Sequence, residues 1–229
     1  MNFAEIGQLL SVWALPIILA VTLHEAAHGW MAEKRGDDTA RKLGRVSFNP
    51  IRHVDPVGTV ILPGVLVLFG APFLFGWAKP VPVAFHRLHN PKRDMIWVAL
   101  AGPGINILLA LASGLILHLF DRADLSNVEL WIVVNLHNFI SINVTLAVFN
   151  MLPLPPLDGG RVLTGLLPGP LAYRFAQLER YGIVILLALI SVVPMIGREL
   201  GFEQDPLSAV LRPAVGVVYA AVRTLTGWG

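Results

Sequence analysis

The feature that most constrains this chain is a series of apolar blocks, each long enough to cross a membrane, separated by short polar or proline-rich stretches. A helix rises about 1.5 Å per residue, so about 20 residues cross a hydrocarbon core of roughly 30 Å. Hydrophobic residues make up 55% of the chain and charged residues only 14%. Soluble domains carry roughly a quarter of charged residues. The pattern predicts an all-α, polytopic membrane protein built as a helical bundle.

Four blocks and an amphipathic tail are predicted to be helices. They cover residues 6–32, 94–120, 128–151, 181–196 and 206–226. The tail 206–226 carries an apolar stripe at helical spacing and could span the bilayer or lie in its interface. One further apolar run, 57–77, is broken by Pro63 and Gly64 and again near Pro72, which disfavours a straight helix.

The distribution of lysine and arginine favours a re-entrant path for residues 57–77. If this run crosses the bilayer, the basic residues of the loops divide almost equally, eight against seven, between the two faces. If it enters the bilayer and returns to the same face, one face collects thirteen basic residues and the other only Arg122 and Arg198. Such an excess marks the cytoplasmic face of a membrane protein. The thirteen residues are Lys34, Arg35, Arg41, Lys42, Arg45, Arg52, Lys79, Arg87, Lys92, Arg93, Arg161, Arg174 and Arg180.

Cysteine is absent from the chain. Disulfides, thiolate metal ligands and a cysteine nucleophile are therefore excluded. Any metal ion must be bound by histidine and carboxylate side chains. The net charge of +2 is small and the basic residues are dispersed among apolar blocks, so we expect no nucleic-acid partner.

The first predicted helix carries the motif His24-Glu25-Ala26-Ala27-His28. Residues four apart lie one turn apart on one face of a helix, so both imidazoles can bind the same ion. Glu25 lies beside the first ligand, where it can act on a water molecule as a base. Counting back from Lys34 places His24 about 15 Å deep in the bilayer. Ionisable groups at such depth are rare and costly, which favours a functional site over a pair of packed polar residues.

Asp158 is the predicted third ligand. It follows the proline-rich end of helix 128–151, where irregular backbone is tolerated only inside protein or beside a water-filled cavity. With 57–77 re-entrant, helix 128–151 runs toward the face where the first helix ends, which brings Asp158 to the depth of the two histidines. The alternative is an ordinary turn aspartate at the membrane edge. Two imidazoles, a carboxylate and water form a tetrahedral catalytic zinc site, so we expect one Zn2+ per chain.

Three motifs give the chain a specific resemblance to the site-2 protease family of intramembrane zinc metalloproteases, and in particular to its compact microbial members. They are His24-Glu25-x-x-His28, Ala101-Gly102-Pro103-x-x-Asn106 and Asn150-x-x-Pro153-x-Pro155-x-Leu157-Asp158-Gly159-Gly160. The resemblance implies that His24, His28 and Asp158 bind zinc, and that Glu25 is the general base and then the proton donor. It also implies hydrolysis of a peptide bond in or near the transmembrane segment of a membrane-protein substrate, in regulated intramembrane proteolysis.

Two asparagines and one segment carry alternative explanations. Asn150 resembles the family's active-site asparagine, which helps to hold the substrate carbonyl or water, but asparagine also suits the end of a helix. Asn106 resembles the helix-3 asparagine of the family, but interhelical hydrogen bonding explains it equally well, so we leave it out of catalysis. Residues 76–83 resemble the family's segment beside the active site, where an extended substrate pairs with a strand edge. A rigid connector is the alternative for that segment.

We expect residues 1–229 to form a single membrane-embedded zinc metalloprotease domain, with its core at 6–161 and C-terminal helices at 181–226. We expect no PDZ domain between helices and no appended regulatory domain after the core. The expected partners are the lipid bilayer and a transmembrane protein substrate. We expect a multi-pass protein of the cell membrane whose active site opens toward the cytoplasmic face.

Two rival functions remain at this level. A zinc-binding membrane protein without hydrolysis, such as a transporter or an inactive relative, would also need buried ligands, although Glu25 would then be superfluous. A membrane zinc protease of an unrelated type would use a helical glutamate as third ligand in place of Asp158. The remaining histidines, which have no partner at ligand spacing, are expected to be solvated or packing residues: His53, His86, His89, His118 and His137.

Overall fold

The computed structural model describes residues 3–69, 76–120, 124–199, 201 and 206–228. Within these ranges the regular elements are helices, and no strand is formed. The α-helices are α1 (Phe3–Lys34), α2 (Thr39–Lys42), α3 (Leu62–Leu68), α4 (Pro91–Ile116), α5 (Asn127–Asn150), α6 (Asp158–Leu166), α7 (Gly169–Ala176), α8 (Gly182–Leu187), α9 (Val193–Glu199) and α10 (Pro206–Thr226). Shorter 3₁₀ turns and π-helical segments link several of them.

Five helical stretches of the described chain are long and apolar enough to cross a membrane: Gly7–Lys34, Pro91–Leu119, Asn127–Asn150, Gly169–Gly197 and Leu207–Thr226. Large apolar side chains project from their outer surfaces, such as Leu10 on α1 and Leu108 on α4, which are 58% and 61% exposed. Polar side chains such as Asn106 and Asn143 are fully buried between them. An apolar exterior around a polar interior is the arrangement that suits lipid. The predicted all-α, polytopic membrane fold is confirmed.

Local sequence signals explain where the two central helices begin. Helix α4 starts at Pro91, three residues before the predicted bound, because proline suits the first helical position. The Asp94 carboxylate in that first turn accepts a hydrogen bond from the Asn90 N–H at 2.7 Å. Helix α5 starts after a capping box in which the Ser126 Oγ accepts from the Glu129 N–H and the Glu129 carboxylate accepts from the Ser126 N–H.

Helix α10 matches the bounds predicted for the amphipathic tail and packs against α4 and α5. Its apolar contacts include Val222 and the following Trp228, which join Ala110 of α4 and Ile140 of α5 in one buried cluster. His118, just beyond α4, faces the Thr226 carbonyl oxygen at 2.7 Å. The C-terminal ends of α4 and α10 therefore lie side by side.

The run 57–77 enters and returns on one side of the bundle. It begins as a π-helical segment, Pro56–Ile61, followed by α3, and its far end comes back beside its start. The Trp77 N–H donates to the Gly58 carbonyl oxygen at 3.1 Å, and the Thr59 hydroxyl donates to the Trp77 carbonyl oxygen at 2.9 Å. A crossing would separate these ends by roughly 30 Å. The geometry is that of the predicted re-entrant segment; Pro72, the second predicted break, lies outside the described residues.

Residues 76–84, here called the connecting segment, leave the re-entrant segment and lead toward α4. They form neither a helix nor a paired strand. Three anchors hold them: the Lys79 N–H donates to the His53 carbonyl oxygen at 2.9 Å, the Arg45 Nη2 donates to the Lys79 carbonyl oxygen at 2.6 Å, and the Ala84 N–H donates to the Asp37 Oδ2 at 2.6 Å. The segment is therefore fixed against the turn that follows α1.

Asp37 is the residue that joins that turn to the connecting segment. It is fully buried and accepts hydrogen bonds from the Thr39 N–H, the Thr39 hydroxyl and the Ala84 N–H. Burial raises the pKa of Asp37, but these hydrogen bonds outweigh burial and hold the pKa below its ordinary value of 3.8. The carboxylate is thus stabilised as an anion.

We expect Asp37→Asn to lower the free energy of unfolding by about 2 kcal/mol near neutral pH, because an amide cannot accept all three bonds as an anion does. A lowered pKa contributes stability above the ordinary pKa, and this contribution is lost as pH falls through the lowered value. The difference between wild type and variant should therefore narrow below about pH 4.

Thermal unfolding in detergent, near neutral pH and below about pH 4, measures the difference in stability between wild type and variant. Asp124→Asn, at an exposed carboxylate in the loop between α4 and α5, is the control and should change stability little at either pH. A difference that stays constant down to strongly acid pH would contradict the role of the Asp37 anion.

Candidate metal centre

Helix α1 presents two imidazoles to the centre of the bundle. His24 and His28 are only 6% and 7% exposed, and their ring centroids lie 4.6 Å apart in an edge-to-face arrangement. As the motif spacing predicts, both rings lie on one face of one continuous helix.

Asp158 is brought to the same place by the turn between α5 and α6. It is the first residue of α6 and is 4% exposed. Gly159 and Gly160 make this turn possible, because a Cβ at Gly159 would lie 2.2 Å from the Met151 carbonyl oxygen and one at Gly160 would lie 2.5 Å from the Pro155 nitrogen. No side chain fits at either position, so the two glycines let the start of α6 press against the preceding turn.

The three side chains point one atom each at a common centre. The two Nε2 atoms of His24 and His28 lie 3.1 Å apart, and the Asp158 Oδ2 lies 3.2 Å and 3.3 Å from them. A tetrahedral zinc ion with bonds of about 2.0 to 2.1 Å separates its ligand atoms by about 3.3 Å. The observed triangle therefore has the size of one face of a zinc coordination tetrahedron.

Hydrogen bonds at the other ring nitrogens fix which nitrogen faces this centre. The His28 Nδ1 lies 2.7 Å from the Val98 carbonyl oxygen, and the His24 Nδ1 lies 2.6 Å from the Asn106 Oδ1. A carbonyl oxygen only accepts, so each Nδ1 carries the proton and each Nε2 of a neutral ring presents a lone pair. This is the usual arrangement of a metal-binding histidine.

Asn106 is itself held in one orientation. Its Nδ2 donates to the Asn143 Oδ1 at 2.7 Å and faces the Ala20 carbonyl oxygen at 3.4 Å, which leaves the Oδ1 for His24. The Asn143 Nδ2 in turn donates to the Phe139 carbonyl oxygen at 2.7 Å. The expected interhelical role of Asn106 is thus present, and it extends to the orientation of His24. Sequence spacing carried no signal for this contact, because it depends on how α1 and α4 cross.

Gly102 allows α4 to approach the two imidazoles. A Cβ at this position would lie 2.5 Å from both the His24 Cε1 and the His28 Nε2. Any larger residue would push α4 away and break the contacts that Val98 and Asn106 make with the rings. The glycine of the Ala101-Gly102-Pro103 motif therefore has a direct steric explanation.

The donor set fits a zinc ion. Two Nε2 lone pairs and a carboxylate oxygen within 3.3 Å repel one another unless a cation lies between them. The Asp158 Oδ2 is buried and accepts no hydrogen bond. Among the described residues, these three side chains form the one group of histidine and acidic residues close enough to share a metal ion. Imidazole and carboxylate ligands in a three-residue set are typical of catalytic zinc.

Glu25 lies beside this centre but its carboxylate turns to the connecting segment. Its Oε2 accepts a hydrogen bond from the Val81 N–H at 2.8 Å, and the residue is partly exposed. A carboxylate that is next to a candidate metal ligand and reachable by solvent can exchange a proton with a water molecule.

Asn150 is the last residue of α5 and is partly buried. Its Nδ2 donates to the Leu146 carbonyl oxygen at 3.0 Å, one turn earlier in the same helix. This contact agrees with the alternative in which Asn150 serves its own helix end, and its catalytic role stays a prediction.

The histidines outside the motif do not join the metal centre. Three of them face carbonyl oxygens: His53 that of Ser47, His118 that of Thr226 and His137 that of Val133. His86 and His89 are exposed. They are packing or surface residues, as the spacing predicted.

Comparison with known proteins agrees with this geometry. The profile of peptidase family M50 matches residues 12–191. The chain is 36% identical to the Bacillus subtilis protein named "Putative zinc metalloprotease YwhC", over 79% of this chain and 80% of that protein. It is 28% identical to the Mycolicibacterium smegmatis protein named "Putative zinc metalloprotease Rip2", over 79% of this chain and 66% of the relative. The Mycobacterium tuberculosis protein of the same name is 30% identical, over 75% and 63%. No solved structure matches the chain significantly.

One conclusion follows from the long apolar helices, the triangle of Nε2, Nε2 and Oδ2 atoms, and the extent of these matches. The chain belongs to peptidase family M50, the site-2 protease family, and is a multi-pass membrane zinc metalloprotease.

Proposed function

We propose that this protease hydrolyses a peptide bond in or near the transmembrane segment of a membrane-protein substrate, as in regulated intramembrane proteolysis, with His24, His28 and Asp158 holding the zinc ion. The observation that supports the proposal most directly is the buried triangle of Nε2, Nε2 and Oδ2 atoms. His24 precedes the end of α1 by ten residues, which corresponds to a depth of about 15 Å. Chemistry at that depth suits a substrate that is itself in the membrane.

Each residue has a defined part in the reaction. Zinc, when bound, supplies a Lewis acid that polarises the substrate carbonyl and makes a water molecule more acidic. The two histidines direct Nε2 toward the zinc site because each Nδ1–H is hydrogen-bonded to an oxygen atom. Asp158 contributes the negative charge. Glu25 takes the proton of the attacking water on its carboxylate and then gives it to the nitrogen of the leaving amine. Asn150 stabilises the developing negative charge on the carbonyl oxygen.

A cavity beside α1 supports a substrate that arrives from the membrane. It has a volume of about 500 Å3 and lies between α1 and the re-entrant segment. Its mainly apolar lining includes Ile17, Val21, Trp77 and Ala78. Glu25 follows Val21 by one helical turn on the same face of α1. A polypeptide segment in this cavity would therefore approach the base along α1.

The orientation proposed for the protein follows the basic residues. The ends of the re-entrant segment, the end of α1 and the start of α4 lie together, as the contact of the His89 N–H with the Arg35 carbonyl oxygen shows. These regions carry most of the thirteen basic residues of the predicted cytoplasmic face. We place the opening of the active site on that face. Residues 1–229 form a single domain in this proposal.

The first test separates metal binding from catalysis. We expect Glu25→Gln to keep about one zinc ion per chain and to lower kcat/KM by about 100-fold or more, because the amide cannot accept the proton. Asp158→Asn should lose most of the zinc, because a ligand charge is removed. Zinc content and cleavage of a single-span membrane protein by the purified enzyme are the measurements.

Asp38→Asn is the control, since it makes the same change at a carboxylate remote from the metal centre. Zinc binding without any cleavage by the wild type would favour the non-hydrolytic rival. Full zinc content in Asp158→Asn would point instead to a different third ligand.

A second test concerns the orientation of His24. Asn106→Ala removes the acceptor of the His24 Nδ1–H, and we expect zinc affinity to fall about 10- to 100-fold. Competition with a chelator measures the affinity. Asn138→Ala is the matched control, because this asparagine donates to the Val12 carbonyl oxygen toward the other end of α1. Equal zinc affinity in the wild type, Asn106→Ala and Asn138→Ala would show that His24 does not need the hydrogen bond to Asn106.

A third test uses the absence of cysteine from the chain. Leu43→Cys places a thiol on the basic face at a position that is 60% exposed, and Asn127→Cys places one at the exposed start of α5. A membrane-impermeant maleimide should modify position 43 only from the cytoplasmic side and position 127 only from the opposite side. The reverse pattern would invert the proposed orientation.

A further inference from the structure

The Glu25 carboxylate is held by a main-chain donor from a distant part of the chain. The Val81 N–H donates to the Glu25 Oε2 at 2.8 Å, across 56 residues of sequence. A hydrogen bond to an ionised carboxylate is shorter and roughly twice as strong as one between neutral groups. It fixes the direction of one carboxylate oxygen and leaves Oε1 to exchange the proton.

The sequence around Val81 isolates this donor. Pro80 and Pro82 flank it, and proline has no main-chain N–H. Val81 is therefore the one residue of the three that can donate from its backbone. Proline also fixes φ near −65° and disfavours helix for the residue before it, so the three residues stay stiff and extended.

The anchors of the connecting segment lie on both sides of Val81. Lys79 is bound to the His53 carbonyl oxygen and to Arg45, whose guanidinium is largely buried. Ala84 is bound to the buried Asp37. The Val81 N–H therefore lies two residues after the anchor at Lys79 and three residues before the anchor at Ala84. This leaves it little freedom to move away from Glu25.

Gly29 allows the segment to come this close to α1. The Val81 side chain is 7% exposed and packs on the helix at Gly29, one turn after Glu25. A Cβ at Gly29 would lie 3.1 Å from the Val81 Cγ1 and 2.9 Å from the Val46 Cγ2. Alanine at this position would press on Val81 as well as on Val46 and Ala40, and we expect it to shift the connecting segment and lengthen the hydrogen bond to Glu25.

We infer that the Val81 N–H orients the catalytic carboxylate, and that Val81 and Gly29 are positioning residues for peptide hydrolysis. The inference rests on the proposed function, in which Glu25 is the general base. The connecting segment is then part of the catalytic apparatus as well as a link between the re-entrant segment and α4.

Val81→Pro tests the donor itself, because it removes the N–H and keeps a residue that is compatible with an extended chain. We expect kcat to fall about tenfold or more, with KM and zinc content close to those of the wild type. Val81→Ala, which keeps the N–H, should retain far more activity than Val81→Pro.

Gly29→Ala tests the packing that brings the donor to Glu25. It should show the same loss of kcat at unchanged zinc content. Gly104→Ala is the matched control, because a Cβ at Gly104 of α4 would meet no atom within 4 Å. If Val81→Pro does not fold, a backbone ester introduced at position 81 replaces the same N–H by oxygen and gives the same readout.

The outcomes separate this inference from the proposed function. Full kcat in Val81→Pro or in the ester, while Glu25→Gln is inactive, would overturn the inference and leave the function standing. A loss of zinc that parallels the loss of activity would also overturn it, because the segment would then support the metal centre as a whole. Equal cleavage by Glu25→Gln and wild type would refute the role of Glu25 itself.

Discussion

The metal centre depends on the close crossing of α1 and α4. At this crossing the His24 and His28 rings meet Asn106 and the Val98 carbonyl oxygen, and each Nδ1–H is satisfied there. The crossing fixes the tautomer and the direction of both rings before any ion binds, so the Nε2 atoms converge without further adjustment. Asn106 and Asn143 extend this support into α5, whose far end leads to Asp158. One contact between helices thus sets the geometry of candidate ligands that come from two distant parts of the chain.

Much of the fold could be predicted because lipid imposes simple rules on sequence. Apolar blocks of sufficient length gave the helices, and the asymmetry of basic residues gave the re-entrant path of 57–77, whose ends meet at Gly58 and Trp77. Membership of the zinc metalloprotease family followed from three short motifs, and the comparisons confirm it. The helix bounds were less accurate at α4, where Pro91 starts the helix before the apolar residues begin. They were also wrong for the predicted helix 181–196, because the helical stretch already starts at Gly169 in what was expected to be a link.

Other features could not be predicted, for a physical reason. The contacts of His24 with Asn106 and of Glu25 with Val81 join residues 82 and 56 positions apart, and no periodicity relates them. They arise from the distance between packed helices, which glycines such as Gly102 and Gly29 determine. The sequence predicted Glu25 as the base, but it contained no indication that a main-chain amide would hold it. The division into a core at 6–161 and C-terminal helices at 181–226 also stays a prediction.

The missing side chain at Gly102 decides from which direction a polypeptide can arrive. Helix α4 touches both imidazoles at van der Waals distance there, so no peptide can pass between α4 and the rings. The flank of α1 that carries Ile17 and Val21 is bordered by the re-entrant segment, with its cavity of about 500 Å3. In the proposed function, a scissile carbonyl would therefore approach the two imidazoles from the side away from α4.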